Sequence, residues 1–153
     1  MGQYAHRYHD FSYGHRVYGH ENKCADLHGH NGRVTFYCEG VELDSVGRVI
    51  DFGEIKRLCN WVEENWDHKT LIWQEDPWSF DLLKLNPNGV RIVLFNPTSE
   101  NLALHLLNKV GPVLMSGTGV ELTKVKFMET RKCGVTFRKE QTNGTIKHPH
   151  RTA

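Results

Sequence analysis

The chain has only four cysteines, and no two of them stand close enough to form a motif. They are separated widely and irregularly, at Cys24, Cys38, Cys59 and Cys133. The lack of a C-x-x-C pair argues against a zinc ribbon and against a thioredoxin-like redox site. Reduced thiols in an intracellular protein are therefore the simplest expectation.

Strong net charge and long apolar runs are also absent. The formal net charge is +1 over 153 residues, so no strong field would draw the protein to nucleic acid or to a membrane surface. No stretch approaches the ~18 apolar residues of a membrane span, and the opening residues lack the apolar core of an export signal. These absences predict a soluble, cytoplasmic protein of one domain.

The apolar pattern that is present predicts an α+β fold, in which helices cover an antiparallel sheet. Thr98 suits a helix N-cap, and Glu100 places negative charge in the first turn of that helix. Residues 70–89 contain two prolines and an Asn-Gly turn and are interpreted as irregular. The predicted elements are strands over 3–15 and from 28 to about 44, a helix over 52–66, a short strand "VRIVLF", a helix over "NPTSENLALHLLNKVGPVL", and a hairpin of "VELTKVKFME" and "GVTFRK".

Histidine is abundant, with ten residues. His28 and His30 point to the same side if a strand begins at residue 28, and His15 on the preceding strand could join them. Three imidazoles would leave the fourth position of a zinc ion open, which is typical of a catalytic rather than a structural site. The alternative is a chance cluster in a histidine-rich chain.

Cys24 and the pair Asp67–His68 are further candidates for chemistry. A cysteine is more often a small buried residue, but a polar loop with a nearby cation or metal favours the reactive thiolate. His68 could act as a general acid or base with Asp67 beside it. Polar termination of the first helix is the alternative explanation for this pair.

Glu129 interrupts an apolar strand face. In "VKFMET", Val125 and Phe127 share a face with Glu129, and a buried carboxylate without a partner is costly. Either a cation such as Arg131 or Lys132 pairs with it, or a ligand does. The N–H edge of a flat heterocycle would be a suitable bidentate partner.

Together these residues resemble the 6-pyruvoyl-tetrahydropterin synthase family. The matching pieces, which occur in the family's order over residues 11–137, are "FSYGHR", "KCADLHGHN", "VIDFGEIK", "DHKTL", "NPTSENLA" and "KFMET". One such piece alone is a weak signal, but six in order make a chance match improbable. The departures from the family are the long segment 70–95 and the tail after Arg138.

The resemblance implies a tunnelling fold, with a four-stranded antiparallel sheet and two helices on one face in each subunit. Such subunits assemble into a barrel, usually a hexamer of two stacked trimers with active sites at the subunit interfaces. The implied site residues are zinc ligands at His15, His28 and His30, catalytic residues at Cys24, Asp67 and His68, and pterin-binding residues at Glu129, Thr98, Ser99 and Glu100.

The three-residue spacing between Cys24 and His28 separates the branches of the family. The short spacing is typical of 6-carboxy-tetrahydropterin synthases of the queuosine (7-deazaguanine) pathway. Pyruvoyl synthases have a longer gap, and a third branch has Glu in place of the cysteine.

We therefore expect a synthase domain over 1–140, followed by a mobile tail over 141–153. The expected reaction converts 7,8-dihydroneopterin triphosphate to 6-carboxy-5,6,7,8-tetrahydropterin, with release of acetaldehyde and triphosphate. Lys23 and His20 are candidates for holding the triphosphate. The alternatives are a 6-pyruvoyl-tetrahydropterin synthase and, more distantly, a non-catalytic protein that binds pterin or zinc.

Overall fold

The structure, a computed structural model, describes residues 3–140. Six strands form one sheet in the order β4-β3-β1-β2-β5-β6. The series β1-β2-β5-β6 is antiparallel, whereas β3 runs parallel to β1 and β4 parallel to β3. The strands are β1 (Gln3–His15), β2 (His28–Gly40), β3 (Lys69–Trp73), β4 (Val90–Val93), β5 (Glu121–Met128) and β6 (Gly134–Arg138).

One face of this sheet carries the hydrophobic core. Because strand side chains alternate, Phe11 of β1 and Phe36 of β2 turn to the same face, and both are buried there. Leu58 from the first helix and Leu102 from a later one are buried in the same core. On the opposite face of β1, Tyr8 is exposed. This alternation confirms the predicted half-buried strands covered by helices.

The helices begin at caps visible in the sequence. The carboxylate of Asp51 accepts a 2.7 Å hydrogen bond from the Gly53 amide at the start of α1 (Phe52–Asn65). Thr98 accepts one from the Asn101 amide, which confirms it as the N-cap of α3 (Ser99–His105). After α3 the chain continues through a π-helical turn, Leu106–Val110, into α4 (Gly111–Leu114).

The prediction that residues 70–89 are irregular is wrong. They contain most of β3 and the short helix α2 (Ser79–Leu85), whereas β4 confirms the strand predicted from "VRIVLF". Strand β3 is five residues long and is placed by long-range pairing with β1 and β4. Its apolar pattern is too short to distinguish a strand from irregular chain.

Two expectations lie partly beyond the described residues. The tail 141–153, expected to be mobile, lies outside them, and the domain boundary at residue 140 stays a prediction. Within residues 3–140, no helix combines the length and the apolar character needed to cross a membrane.

Candidate active site

Strands β1 and β2 bring the three predicted histidines together at one end of the sheet. The register sets His15 opposite His28 and Tyr13 opposite His30. Residues directly opposite, and those two apart on a strand, share a face, so all three imidazoles turn toward the helix-covered side. His15 is 1% exposed, while His28 and His30 are half-buried.

The three imidazoles have the geometry of a chelating set. One ring nitrogen of each lies within 4.8 Å of the others. The Nδ1 of His15 lies 2.7 Å from the Pro97 carbonyl, and the Nδ1 of His28 lies 2.7 Å from the Asp26 carbonyl. A carbonyl can only accept, so these Nδ1 atoms carry the hydrogen and leave Nε2 with a lone pair.

A metal ion would supply partners that the site otherwise lacks. Among the described residues, the buried Nε2 atoms of His15 and His30 form no hydrogen bond. The Nε2 of His30 has an oxygen of Glu129 3.2 Å away, in a geometry that makes no hydrogen bond. Buried polar atoms are normally satisfied, so the unpaired nitrogens of this cluster call for an explanation. Three imidazoles are a donor set that zinc accepts, and the cluster therefore fits that ion.

Burial favours the neutral, metal-binding form of two of the three histidines by lowering their pKa values. It lowers the pKa of His15 to about 4, an effect that the neighbouring His28 reinforces. Burial also lowers the pKa of His30, although the nearby Glu129 carboxylate acts in the opposite direction. Both imidazoles are thus neutral at pH 7, as metal coordination requires.

Glu129 lies directly beside the histidine cluster. Its Oε2 accepts a 2.7 Å hydrogen bond from the Ser99 hydroxyl, and its Oε1 lies 3.2 Å from the Nε2 of His30. Within residues 3–140, neither Arg131 nor Lys132 forms an ion pair with it, so the cationic partners considered from sequence are not the ones it has. The carboxylate therefore interacts with Ser99 and His30 rather than with a cation of its own hairpin.

The other two residues assigned to the pterin pocket flank Ser99 at the start of α3. Thr98 is occupied as the helix cap, and Glu100 is exposed in the first turn. Of the three, Ser99 is the one that forms a hydrogen bond with Glu129 within the described residues.

Tyr13 is a site residue that was not singled out from the sequence. Its ring lies 5.2 Å from that of His15 and 5.6 Å from that of His30, centroid to centroid. Burial and the Glu129 carboxylate raise the pKa of Tyr13, so its hydroxyl stays protonated. That hydroxyl is buried without a hydrogen-bond partner among the described residues. The available signal was its position on the same strand face, two residues before His15.

Cys24 lies in a loop that the sheet does not fix directly. It is a half-buried free thiol in a single 3₁₀ turn, Lys23–Ala25. Its carbonyl accepts a 2.8 Å hydrogen bond from the Val17 amide. The thiol is not one of the clustered metal-ligating atoms, so it is free for other chemistry.

Asp67 and His68 touch each other, which adjacency in sequence does not guarantee. The Oδ1 of Asp67 lies 3.0 Å from the Nδ1 of His68 and accepts a 2.9 Å hydrogen bond from the Ser12 amide. His68 has φ +58° and is the one non-glycine residue in the left-handed region between residues 3 and 140. Such conformations cost energy and cluster at functional sites. His68 lines an open groove of about 590 Å³ together with His28 and His30.

Sequence relatives identify the family to which the chain belongs. A family model described as 6-pyruvoyl tetrahydropterin synthase matches residues 4–140. The 6-carboxy-5,6,7,8-tetrahydropterin synthase of Rickettsia typhi is 39% identical over 129 residues, covering 82% of this chain and 93% of the relative. The chain belongs to the 6-pyruvoyl tetrahydropterin synthase family and is an enzyme of that family.

Solved structures confirm the expected tunnelling fold of the subunit. An uncharacterised protein of Wolinella succinogenes aligns with a TM-score of 0.81 at 26% identity, covering 92% of this chain and 99% of that one. The 6-pyruvoyl tetrahydropterin synthase of Caenorhabditis elegans aligns with a TM-score of 0.65 at 24% identity, covering 92% and 97%. At that identity the second likeness supports the fold alone.

The buried His15 predicts a pH dependence of folding stability in the metal-free protein. Its native pKa of about 4 lies below the unfolded value of 6.5, so the unfolded state binds more protons between these values. The free energy of unfolding should therefore fall as the pH drops from 6.5 to 4, by at most about 3 kcal/mol from this residue. Chemical denaturation of the chelator-treated protein across this range measures the loss.

His15→Gln should show a smaller loss over the same pH range, whereas His6→Gln, which alters an exposed histidine of the same strand, should match the parent. An identical pH slope in His15→Gln would contradict the assignment.

Proposed function

We propose that the protein is a zinc-dependent 6-carboxy-tetrahydropterin synthase. It would convert 7,8-dihydroneopterin triphosphate and water to 6-carboxy-5,6,7,8-tetrahydropterin, acetaldehyde and triphosphate. The observation that carries this proposal is the contact between His30 and Glu129, where a metal-ligating cluster lies 3.2 Å from a carboxylate suited to a heterocycle. The printed name of the Rickettsia typhi relative and the short spacing from Cys24 to His28 support this branch over the pyruvoyl synthases.

His15, His28 and His30 would hold the zinc ion through their Nε2 atoms. When bound there, zinc supplies Lewis-acid chemistry, since it polarises oxygen ligands and lowers their proton affinity. The carbonyls of Pro97 and Asp26 keep two of the rings oriented for this purpose. Three protein ligands leave room for the hydroxyls of the substrate side chain.

Glu129 would fix the pterin ring. A carboxylate can accept two parallel hydrogen bonds from the 2-amino group and the N3–H of a pterin. The Ser99 hydroxyl already donates to Oε2, which orients the carboxylate before substrate arrives. Thr98 fixes the first turn of α3, and Glu100 would lie at the rim of the pocket.

Cys24 and His68 would move the protons. As a thiolate, Cys24 would remove the proton from the side-chain carbon next to the ring. The Nδ1 of His68 lies 3.0 Å from Asp67, so its Nε2 is left to exchange a proton on the opposite side. The electrons that reduce the ring come from the substrate side chain, and no external reductant is required.

The free strand edges support an oligomeric barrel. Strand β1 pairs with β2 over its whole length, but β3 covers only its residues Tyr13–His15 on the other side. Strand β6 pairs with β5 on one side only within the described residues. Long free edges are ready-made for pairing with other chains. We propose a homohexamer of two stacked trimers, with active sites at the subunit interfaces.

The remaining parts of the proposal concern context. The pterin triphosphate and further copies of this chain would be the partners, and residues 1–140 would form one synthase domain. The product would enter queuosine (7-deazaguanine) biosynthesis in the cytoplasm. Lys23 and His20, in the loop that carries Cys24, would help to hold the triphosphate.

Turnover of the proposed substrate is the central test. The zinc-loaded protein should convert 7,8-dihydroneopterin triphosphate to a product with the mass of 6-carboxy-tetrahydropterin, with release of acetaldehyde. Cys24→Ala should lower the rate by ~10²–10⁴ while retaining zinc, because the proposed base is lost. Cys133→Ala, which changes an exposed thiol, is the matched control and should keep the parent's rate.

Three outcomes would contradict parts of this proposal. A product that keeps the three-carbon side chain would identify a 6-pyruvoyl synthase instead. Binding without turnover would identify a non-catalytic protein. Full activity of Cys24→Ala would rule out the thiolate base.

Removal of one metal ligand should abolish stable zinc binding. His28→Ala leaves two imidazoles, too few for a catalytic zinc site. Elemental analysis after dialysis should give close to one zinc per chain for the parent and for His6→Ala, and far less for His28→Ala. Stoichiometric zinc in His28→Ala would show that the ion binds elsewhere.

The pterin anchor can be tested without turnover. Glu129→Gln replaces one accepting oxygen by an amide and leaves the shape of the side chain almost unchanged. Calorimetric titration with 6-carboxypterin should show weaker binding by ~10-fold or more, since hydrogen bonds to a charged group contribute about 1.5–3 kcal/mol. Glu121→Gln, at the exposed start of β5, should bind like the parent. Equal affinities for Glu129→Gln and the parent would refute the anchor.

A further inference from the structure

Arg16, the residue after the first proposed zinc ligand, is buried in an ion pair. Its side chain is 7% exposed, and that of Asp76 is 1% exposed. The Nε of Arg16 donates to Oδ2 of Asp76 at 2.6 Å, and its Nη2 donates to Oδ1 at 2.7 Å. The two charges therefore meet through two parallel hydrogen bonds, the strongest geometry available to them.

The remaining face and edge of the guanidinium are occupied as well. Its carbon lies 3.4 Å from the centre of the Trp78 ring, a cation–π contact. Its Nη1 donates to the Ala25 carbonyl at 3.3 Å. The Cys24 carbonyl, one residue earlier, is held by the Val17 amide. Arg16 is thus tied on one side to the 70–95 segment and on the other to the turn that carries Cys24.

Stability alone is a weak reason for such a pair. Removing two charges from water costs several kcal/mol for each ion, and well-packed apolar residues often replace buried ion pairs without loss. The third hydrogen bond, from Arg16 to the Ala25 carbonyl, fixes the position of the loop, which apolar residues at these positions could not do. The loop here bears the proposed catalytic thiol.

We propose that the Arg16–Asp76 pair positions Cys24 for catalysis, and that the 70–95 segment supplies this support through Asp76 and Trp78. The inference rests on the proposed function of Cys24. Arg16 and Asp76 are positioning residues, since they act through the backbone carbonyl of Ala25, the residue after Cys24. A displacement of a reacting group by about 1 Å can lower the rate by about 10²-fold. Greater mobility of the turn that carries Cys24 should therefore lower kcat.

The test compares Arg16→Met/Asp76→Leu with the parent enzyme. The double variant removes both charges together and leaves neither one buried alone. Arg48→Met/Asp44→Leu, which changes an exposed Arg–Asp pair, is the matched control. Measurements on the zinc-loaded proteins are kcat and KM from acetaldehyde release, zinc content, and amide hydrogen exchange over residues 17–26.

We expect kcat to fall by ~10–100-fold in the double variant, with KM and zinc content unchanged, because only the thiol is displaced. Hydrogen exchange over residues 17–26 should become faster, whereas exchange in β5 should stay as in the parent. Arg16→Lys keeps the charge but loses the planar fork, so it should lower kcat in the same direction. This single variant decides the matter if the double variant does not fold.

A kcat equal to the parent's, in the double variant or in Arg16→Lys, would overturn the inference. Loss of zinc in either variant would also overturn it, because the substitution would then act through His15. Cys24→Ala in the same assay separates the two proposals. Retained activity of Cys24→Ala refutes the proposed role of the thiol. Retained activity of the double variant beside an inactive Cys24→Ala refutes the positioning role alone.

Discussion

The antiparallel register between β1 and β2 sets His15 opposite His28, and the rest of the molecule depends on that pairing. A slip of one residue would turn every side chain of one strand to the other face. Val34 and Phe36 would leave the core, and His28 would lose contact with His15. The pairing that buries apolar surface therefore also assembles the metal-ligating cluster, and core stability and site geometry cannot change independently.

The site itself is a place where the fold leaves polar groups unsatisfied. Within the described residues, the buried Nε2 atoms of His15 and His30 and the hydroxyl of Tyr13 have no hydrogen-bond partner. Each such group costs about 1–3 kcal/mol when left unpaired. The surroundings hold these groups in place despite the cost, since the Pro97 carbonyl fixes one ring and Ser99 orients Glu129. A bound metal ion and a bound ligand would supply partners for these groups.

The segment 70–95 is connected to this site through the loop that follows His15. Strand β3 extends the sheet beside Tyr13–His15 and brings Asp76 to Arg16. Farther on, the amide side chain of Asn96 exchanges two hydrogen bonds with the backbone of Tyr18. The loop between β1 and β2 is therefore held by Asp76 within the segment and by Asn96 just after it. Residues 17–27 of that loop are all exposed or half-buried, so its position depends on such polar contacts.

Local patterns in the sequence were enough to predict much of this protein. The alternation in β2, the apolar spacing in α1, the cap at Thr98 and the H-G-H motif reflect interactions between residues a few positions apart, and the structure confirms these elements. Six short motifs in order identified the family. The period of a strand predicts that His28 and His30 share a face, and the preceding strand offered His15 as a third candidate metal ligand.

The tertiary structure decided the contacts between residues that are distant in the sequence. Arg16 and Asp76 are 60 positions apart, and His15 and Pro97 are 82 apart. Tyr13, β3 and α2 likewise acquire their roles from long-range pairing and burial. The sequence by itself determined which chemical groups the protein carries and which local elements hold them. Only the packed sheet decided which groups meet, because neither burial nor register is encoded within a single short stretch of chain.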